Sequence, residues 1–526
     1  MTTNPTITAA ESIQIERKKL KRELTLLPLF GMIYFTVCGG AFGSEAIVGW
    51  SGPGMALILL AVTPILFSIP NMLMVRELSS MMPAEGGYYH WVKQGLGPFW
   101  GFLTGWMNLV VSWVDVSIYP VLAAYYLGYF LPALREGAVL GGIYLSGDLL
   151  SWFVALVLIW LITALQIRGT RLTALTTDWV AIVMLLPLLA MSVFGIINWV
   201  SSGVTIELPL LPEGETLFGA FSVGLFVAMW NYMGWELPTS AGDEIVNPRR
   251  TYPLAMVLTL VAAIATYAIP MLSGLYGGAG IDGRHQLWGI EEYQPGEGIG
   301  SVLTDYGVPK DKITSWGVDT TSSIGWEYPD IAHQIGATFA GVDGKFARFL
   351  GLIVTISAIF SMTGLFIGNS LSASRVPFAM AADGMMPLFL VKVHPRYGTP
   401  YVAIIVASVL FSMLSLSTFA FLVVVDVFLN MMALVLQFFA LWALRFKKPN
   451  LAREKVPGGW IGLVLATLAP FFIIGLAIVS QISEEGLNSI WFGLIAIVVG
   501  ALLYFLAKKC LKPGIPDVDP FVESKG

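Results

Sequence analysis

The sequence predicts an all-α polytopic membrane protein with twelve transmembrane helices. Of its 526 residues, 56% are apolar or aromatic and only 12% carry charge, against about 25% charged residues in a typical soluble domain. So few charged side chains would not cover a soluble body of this size, and a disordered chain needs the opposite composition. The class that remains is a protein whose apolar runs of about 20 residues cross a bilayer.

Twelve apolar segments support this fold. They span approximately residues 25–50, 54–75, 98–131, 149–167, 173–200, 216–236, 252–275, 346–370, 399–417, 419–444, 460–480 and 488–507. The third segment is long enough to cross the bilayer at a steep tilt. Short polar connections separate most of the segments, as expected for consecutive membrane spans.

The basic residues predict the orientation of these spans. If the N-terminus lies inside and the spans alternate, 23 of the 29 Lys and Arg residues fall on the inner side. Inner loops of membrane proteins carry such an excess of basic residues. We therefore expect both termini in the cytosol and the chain in the cell (plasma) membrane, with residues 1–24 as a cytosolic segment without a cleavable signal and residues 508–526 as a cytosolic tail.

One outer connection is much larger than the others. Residues 276–343 contain ten acidic and three basic residues, together with many glycines and three tryptophans. A loop of this length and composition indicates a compact extracellular lobe rather than a free linker. Two interpretations stay open: a lid or acidic antechamber that concentrates cations, or a decorated loop with no role in transport.

The first apolar segment contains an interruption, VCGGAFGSE. Gly39, Gly40 and Gly43 lie near the middle of the span, where glycine weakens a helix and lets the backbone approach a ligand. Ser44 could cap a second half-helix, and the ionisable Glu45 follows it. The pattern predicts a broken helix with an acid beside the break.

The sixth segment, LFVAMWNYMGWELPTSAGDE, is interrupted in a similar way by Asn231 and Gly234, with Glu236 close behind. Irregular backbone at membrane depth is tolerated where it is buried in protein or lines a cavity. Interruptions in segments one and six correspond if spans 1–5 and 6–10 are inverted repeats, which points to a midplane binding site of a secondary transporter. The alternative is that the glycines only permit close helix packing.

Four stretches, in the expected order, resemble the amino acid-polyamine-organocation (APC) superfamily. They are VCGGAFGSE, RELSSMMPAEGGYYHWVKQGLGPFWGFLTGW (76–106), GDEIVNPRRTYPLAM (242–256) and SASRVPFAMAADGMMPLFLVKVHPRYGTP (372–400). The resemblance implies a leucine-transporter-like fold, with a five-plus-five inverted repeat and broken helices 1 and 6. It divides the chain into a transporter core at 25–444 and helices 11 and 12 at 445–507.

A finer resemblance is to the polyamine-uptake branch of this superfamily. It rests on FGSE at 42–45, on Asp115 followed by YPVL at 119–122, and on Trp230-Asn231 followed by Glu236. The sequence departs from that branch in MWNYMGWE, where the branch usually has bulkier residues and Asp, and in its longer outer loop. A neutral or cationic amino acid permease or exchanger therefore stays open beside a polyamine carrier.

The resemblance and the broken helices together predict the substrate-binding residues. These are Cys38, Gly39, Gly40, Gly43, Glu45, Asp115, Tyr119, Trp230, Asn231, Gly234, Trp235 and Glu236. Acids within a membrane are rare and costly, so three converging carboxylates would form a cage for substrate ammonium groups, aided by cation-π contacts. An α-amino acid would instead place its carboxylate on free backbone N–H groups of the glycine stretch, at a half-helix N-terminus.

The same acids are candidates for proton coupling. Burial and nearby like charge favour the protonated form of a carboxyl group, which makes Glu236, Glu45 and Asp115 possible proton carriers. The resemblance favours Glu236. Each acid also has a structural interpretation, as a helix cap, a dipole-stabilising residue or a hydrogen-bond partner of the unwound backbone, and Asp426 could serve an outer gate or packing. Helix eight lacks the adjacent hydroxyl pair of sodium-driven relatives, so H+ is the expected co-transported ion.

Other classes of function find no support in the sequence. It has no nucleophile–histidine pair or phosphate loop, and its four histidines and two cysteines lack ligand spacing, so we expect no enzyme, metal or cofactor. A basic tract interleaved with aromatics, as in nucleic-acid binding, is also absent from the sequence. A non-transporting nutrient sensor of the same fold would usually carry a larger cytosolic domain. The expected partners are an amine or amino acid substrate, H+ and the lipid bilayer.

Overall fold

The computed structural model describes residues 25–510 except for a set of connecting segments. These are 83–86, 132, 141–142, 169–170, 203–209, 211–215, 236–245, 247, 278–326, 341–344, 383–385 and 451–452. The predicted cytosolic segment 1–24, most of the outer loop 276–343, Glu236 and most of the tail 508–526 therefore lie outside the described residues. The predictions for them stay predictions.

The described residues are mostly helical. In chain order the α-helices are α1 Leu26–Val37, α2 Ala46–Ser51, α3 Pro53–Thr63, α4 Ile69–Met81, α5 Gly87–Leu96, α6 Pro98–Leu127, α7 Ala133–Glu136, α8 Gly147–Arg168, α9 Arg171–Ser202, α10 Leu217–Trp230, α11 Pro248–Gly277, α12 Tyr328–Ala340, α13 Lys345–Ala382, α14 Tyr401–Leu414, α15 Phe419–Lys447, α16 Gly459–Glu485 and α17 Trp491–Cys510. A π turn, Pro64–Ser68, joins α3 to α4, and 3-10 helices cover Leu388–Val391 and Leu487–Ser489.

Eight helical stretches in the described part of the chain are long and apolar enough to cross a membrane. Four shorter apolar helices accompany them, at Leu26–Val37, Leu217–Trp230, Tyr401–Leu414 and Trp491–Leu506. The prediction of a multi-pass helical membrane protein is thus confirmed. One small element is not helical: strands β1 (Ala138–Leu140) and β2 (Ile143–Leu145) form an antiparallel hairpin between α7 and α8.

The first apolar segment is broken where the glycines predict. Helix α1 ends at Val37, because Cys38 takes an extended conformation with φ −134° and ψ 97°. Gly40 and Gly43 follow with φ values of 95° and 88°, which side chains other than glycine rarely adopt. The helix resumes at Ala46, so residues 38–45 present irregular backbone inside the span.

The sixth segment is broken as well, and its break faces the first. Helix α10 ends at Trp230, and Gly234 has a φ of 92°. A Cβ atom at Gly234 would lie only 3.2 Å from the backbone oxygen of Thr36. Glycine therefore allows the two interrupted segments to approach each other closely.

Helices α6 and α15 are the most buried of the long spans. Lys447, at the end of α15, donates from Nζ to the backbone oxygen of Gly95, just before α6 begins, at 2.6 Å. Asn369 of α13 donates to Tyr119 in the second half of α6 at 3.2 Å. Gly351, near the start of α13, lies against Tyr129 just after the end of α6. Both α13 and α15 therefore pack antiparallel to α6.

Some helix limits differ from those that hydropathy predicts. Helix α13 continues to Ala382, twelve residues beyond the predicted end at 370, and the expected connection after span eight is partly helical. Apolar composition marks the part of a helix that lies in lipid, whereas backbone hydrogen bonding continues into the polar stretch beyond it. Within the predicted inner and outer connections, α5 and α12 are additional helices.

A buried ion pair anchors the inner end of this bundle as we orient it. Arg445 of α15 donates from Nε to Oε1 of Glu77 in α4 at 2.7 Å, and from Nη2 to Oε2. The backbone N–H of Val456 also donates to Glu77 Oε2 at 2.7 Å. Both charged side chains are buried. A buried ion pair needs several hydrogen bonds to offset the loss of hydration, and these contacts supply them.

Candidate functional site

A cavity of about 140 Å³ lies between the two breaks and the middle of α6, α13 and α15. Seven of the predicted site residues line it: Gly39, Gly40, Asp115, Tyr119, Trp230, Asn231 and Gly234. These residues come from three separate regions of the sequence. The structure therefore brings the two interrupted segments and the acidic stretch of α6 to one place.

Asp115 is the best-defined polar group in this cavity. The Tyr119 hydroxyl lies 3.0 and 2.8 Å from its two carboxylate oxygens and donates to them. The Trp230 indole Nε1 donates to Oδ1 at 3.1 Å, and the Asn369 amide donates to the Tyr119 hydroxyl at 3.2 Å. Tyr119 reaches Asp115 because residues four apart lie on one helix face. These donors orient the carboxylate while it lines the cavity.

Aromatic rings flank the carboxylate. The Tyr119 and Trp230 rings have centroids 6.4 Å apart at an interplanar angle of 35°, and Phe419 meets Trp230 edge-on at 5.8 Å. Both rings meet Asp115 through polar atoms at their edges, the Tyr119 hydroxyl and the Trp230 indole N–H, so these contacts orient the carboxylate. Trp235 plays no such part, because it is fully buried and its indole donates to the Tyr232 backbone oxygen at 2.8 Å.

The cavity also contains polar residues that the predicted site did not include. Asp426 and Asn430 of α15 line it, as do Asn369 of α13 and Asn108 of α6. None of the described lining residues is a lysine, arginine or histidine. Polar residues spaced by four within apolar helices were the sequence signal for this wall, with Asp426 and Asn430 as the plainest case.

Glu45 lies behind the unwound segment rather than in the cavity. The Tyr126 hydroxyl donates to Glu45 Oε1 at 2.5 Å and accepts from the backbone N–H of Gly43 at 2.9 Å. Glu45 is almost fully buried, and the neighbouring Ser44 hydroxyl lies 3.3 Å from the Tyr328 hydroxyl of α12. The described residues thus do not assemble the predicted three-acid cage, since only Asp115 of the three lines the cavity and Glu236 lies outside them.

The remaining predicted residues support the cavity from outside. Cys38 is buried, and its thiol lies 3.7 Å from the Gly40 backbone oxygen. A Cβ atom at Gly43 would lie 2.9 Å from the Trp230 ring, so glycine allows the indole to reach Asp115. The Ser361 hydroxyl of α13 donates to the backbone oxygen of Gly39 and fixes the unwound segment against α13.

Comparison with known proteins identifies the family of this chain. The family model described as amino acid permease matches residues 24–504. The chain belongs to this family. The APC resemblance is thereby confirmed, and the family consists of transporters rather than enzymes.

Named relatives cover nearly the whole permease. Polyamine transporter PUT1 of Oryza sativa subsp. japonica is 28% identical over 508 residues, which cover 94% of this chain and 82% of the relative. Polyamine transporter RMV1 of Arabidopsis thaliana is 29% identical, covering 94% and 87%. Serine/threonine exchanger SteT of Bacillus subtilis (strain 168) is 24% identical, covering 94% and 98%. The relatives thus include polyamine transporters and an amino acid exchanger.

Proposed function

We propose that this permease is a secondary active transporter of cationic amines, with polyamines as its main substrates. One observation carries the proposal: Asp115 and Asp426 both line the cavity, while its described lining residues include no basic side chain. A di- or polyamine has no carboxylate, so the protein supplies the counter-charges. A membrane-embedded acid is costly, and a bound ammonium group offsets that cost.

The proposed transport cycle is alternating access around the two broken segments. The proposal also includes twelve spans with two inverted repeats, both termini in the cytosol, and location in the plasma membrane. The facing breaks support it, because interrupted helices at corresponding positions mark the site in transporters of this kind. Substrate ammonium groups meet Asp115 from one side and the backbone at Gly39 and Gly40 from the other.

We propose H+ as the co-transported ion, with Asp115, Glu45 and Glu236 as the candidate carriers. Glu45 accepts a hydrogen bond at one oxygen, whereas its buried Oε2 has no hydrogen-bond partner among the described residues. A carboxylic acid needs less compensation in such a place than a carboxylate does. Sodium-driven relatives bind the sodium ion with carbonyls of helix one and hydroxyls of helix eight. Here the Ser361 hydroxyl donates to the Gly39 carbonyl, so these two groups bond to each other.

A second candidate function is an amino acid permease or exchanger. The observation in its favour is that Gly39 and Gly40 line the cavity with unwound backbone, where N–H groups could receive a substrate carboxylate. The Bacillus relative named as a serine/threonine exchanger fits this reading. The amine of such a substrate would then meet Asp115.

Uptake into liposomes by the purified permease separates the two functions. Putrescine, spermidine, arginine and a neutral amino acid are offered, each with an inward proton or sodium gradient. We expect accumulation of the polyamines with the proton gradient. Accumulation of neutral amino acids alone would refute the polyamine assignment. Polyamine uptake that is equal with a sodium gradient and with a proton gradient would refute proton coupling.

The Asp115→Asn variant tests the binding role directly. Hydrogen bonds to charged groups contribute about 1.5–3 kcal/mol, so polyamine affinity is expected to fall by about 10- to 100-fold. Asp148→Asn is the matched control, because Asp148 is exposed in the first turn of α8 and away from the cavity. Equal affinities for wild type and Asp115→Asn would refute the role of this carboxylate.

A further inference from the structure

The polar residues that α6 contributes to the cavity lie at two levels. Asp115 defines the carboxylate level, and Asp426 of α15 also lines the cavity. Asn108 defines the amide level, which lies toward the start of α6 because Asn108 precedes Asp115 by seven residues on that helix. The seven residues from Asp115 to Asn108 correspond to an axial separation of about 10 Å.

The amide level offers hydrogen-bond acceptors without net charge. Asn108 is 7% exposed, and its amide nitrogen donates to the Thr104 backbone oxygen at 2.9 Å. Its amide oxygen is thereby left as the acceptor. Ser112, between the two levels, donates to the Leu109 backbone oxygen at 2.7 Å and keeps its lone pairs. Tyr88 of α5 also lines the cavity.

These two levels differ in what they can bind. A carboxylate recognises an ammonium group by charge and tolerates many amines, whereas amide and hydroxyl oxygens recognise N–H donors by hydrogen bonding alone. A neutral acceptor group at the end of a charged cavity therefore adds affinity only for a molecule long enough to reach it. This arrangement would measure the length of a substrate.

We propose that the amide level, with Asn108 as its central acceptor, is a second subsite that binds the far amine of long polyamines. The proposal rests on the proposed function and adds a specificity determinant to it. An extended amine gains roughly 1.25 Å per bond, so putrescine spans about 6 Å and spermidine about 11 Å between terminal nitrogens. Only the longer molecule bridges Asp115 and Asn108.

The test measures affinities in liposomes containing the full-length permease. Competition against labelled putrescine is measured for putrescine, spermidine and 1,8-diaminooctane, which has the length of spermidine but lacks its middle nitrogen. In Asn108→Leu, the ratio of spermidine affinity to putrescine affinity is expected to fall about tenfold. The ratio for 1,8-diaminooctane should fall equally, because the terminal amine makes the contact.

Two further variants make the result decisive. Asn108→Asp adds a counter-charge and should raise both ratios, which also decides the question if Asn108→Leu does not fold. Thr104→Val, one turn away on α6 and outside the cavity, should keep both ratios at the wild-type value. Ratios that stay unchanged in both Asn108 variants would overturn the second subsite and leave the proposed function standing. Failure of the wild type to bind any of the three amines would overturn both.

Discussion

The hydroxyl of Tyr126 is expected to hold the unwound segment in place, so its removal should lower the free energy of unfolding. It accepts from the Gly43 N–H at 2.9 Å and donates to Glu45 at 2.5 Å, in a buried setting. Tyr126→Phe deletes both bonds at once. A bond to a carboxylate contributes about 1.5–3 kcal/mol, and an unsatisfied buried N–H costs about 1–3 kcal/mol, so the free energy of unfolding should fall by about 2.5–6 kcal/mol.

The assay is reversible unfolding in mixed micelles with increasing denaturing detergent, followed by tryptophan fluorescence or circular dichroism. The matched control is Tyr129→Phe, which loses the bond between the Tyr129 hydroxyl and His333 Nδ1 at 3.1 Å. That neutral bond is expected to contribute about 1 kcal/mol. A Tyr126→Phe variant no less stable than Tyr129→Phe would refute the reasoning.

A double-mutant cycle with Glu45→Gln identifies the partner. Glutamine keeps an acceptor oxygen but carries no charge, so Tyr126→Phe should cost less in that background. The expected coupling energy is about 1–2 kcal/mol, within the range for residues in one hydrogen-bond network. Additive effects would show that the lost stability comes from the Gly43 bond alone.

Three further predictions follow from other contacts. Glu77→Gln should lower the free energy of unfolding by about 3–5 kcal/mol because it leaves its buried guanidinium partner uncompensated, whereas Glu454→Gln, in a partly exposed pair, should cost about 0–1 kcal/mol. Burial lowers the pKa of His333 to about 4, so stability is full above pH of about 6.5 and falls toward pH 4; unfolding measured against pH should show this loss, and His333→Gln should remove it. Gly43→Ala combines a φ of 88° with a Cβ atom 2.9 Å from Trp230 and should reduce polyamine uptake about tenfold, whereas wild-type uptake would show that the segment relaxes around the new methyl group.

Much of the scaffold could be predicted from local sequence. Apolar runs give the spans because burial in lipid depends on composition, and glycines at 39, 40 and 43 give the break because they weaken a helix locally. The pairing of Asp115 with Tyr119 is local too, since a spacing of four puts both on one helix face. The hydrogen bond from the Trp230 indole to Asp115 joins residues that are far apart in the sequence, although Trp230 is among the predicted site residues.

The direction in which each side chain points could not be predicted in the same way. Glu45 follows an unwound stretch in which Gly40 and Gly43 have positive φ values, so helical periodicity does not carry across it. The direction of the Glu45 side chain depends on those glycine conformations and on Tyr126. For Asp426, the acid was visible in the sequence, but its place in the cavity depends on how α15 packs against α6.

Two of the three acids predicted from the sequence, Asp115 and Glu45, are connected through one glycine. Trp230 donates to Asp115 and packs over the Cα of Gly43, whose N–H in turn donates to Tyr126, the donor to Glu45. A change in backbone conformation at Gly43 would therefore alter the surroundings of both carboxyl groups. Coupling between two sites requires an element with two arrangements that both sites bias. Gly43 meets the geometric part of that requirement, because it contacts one group on the cavity side and one behind it.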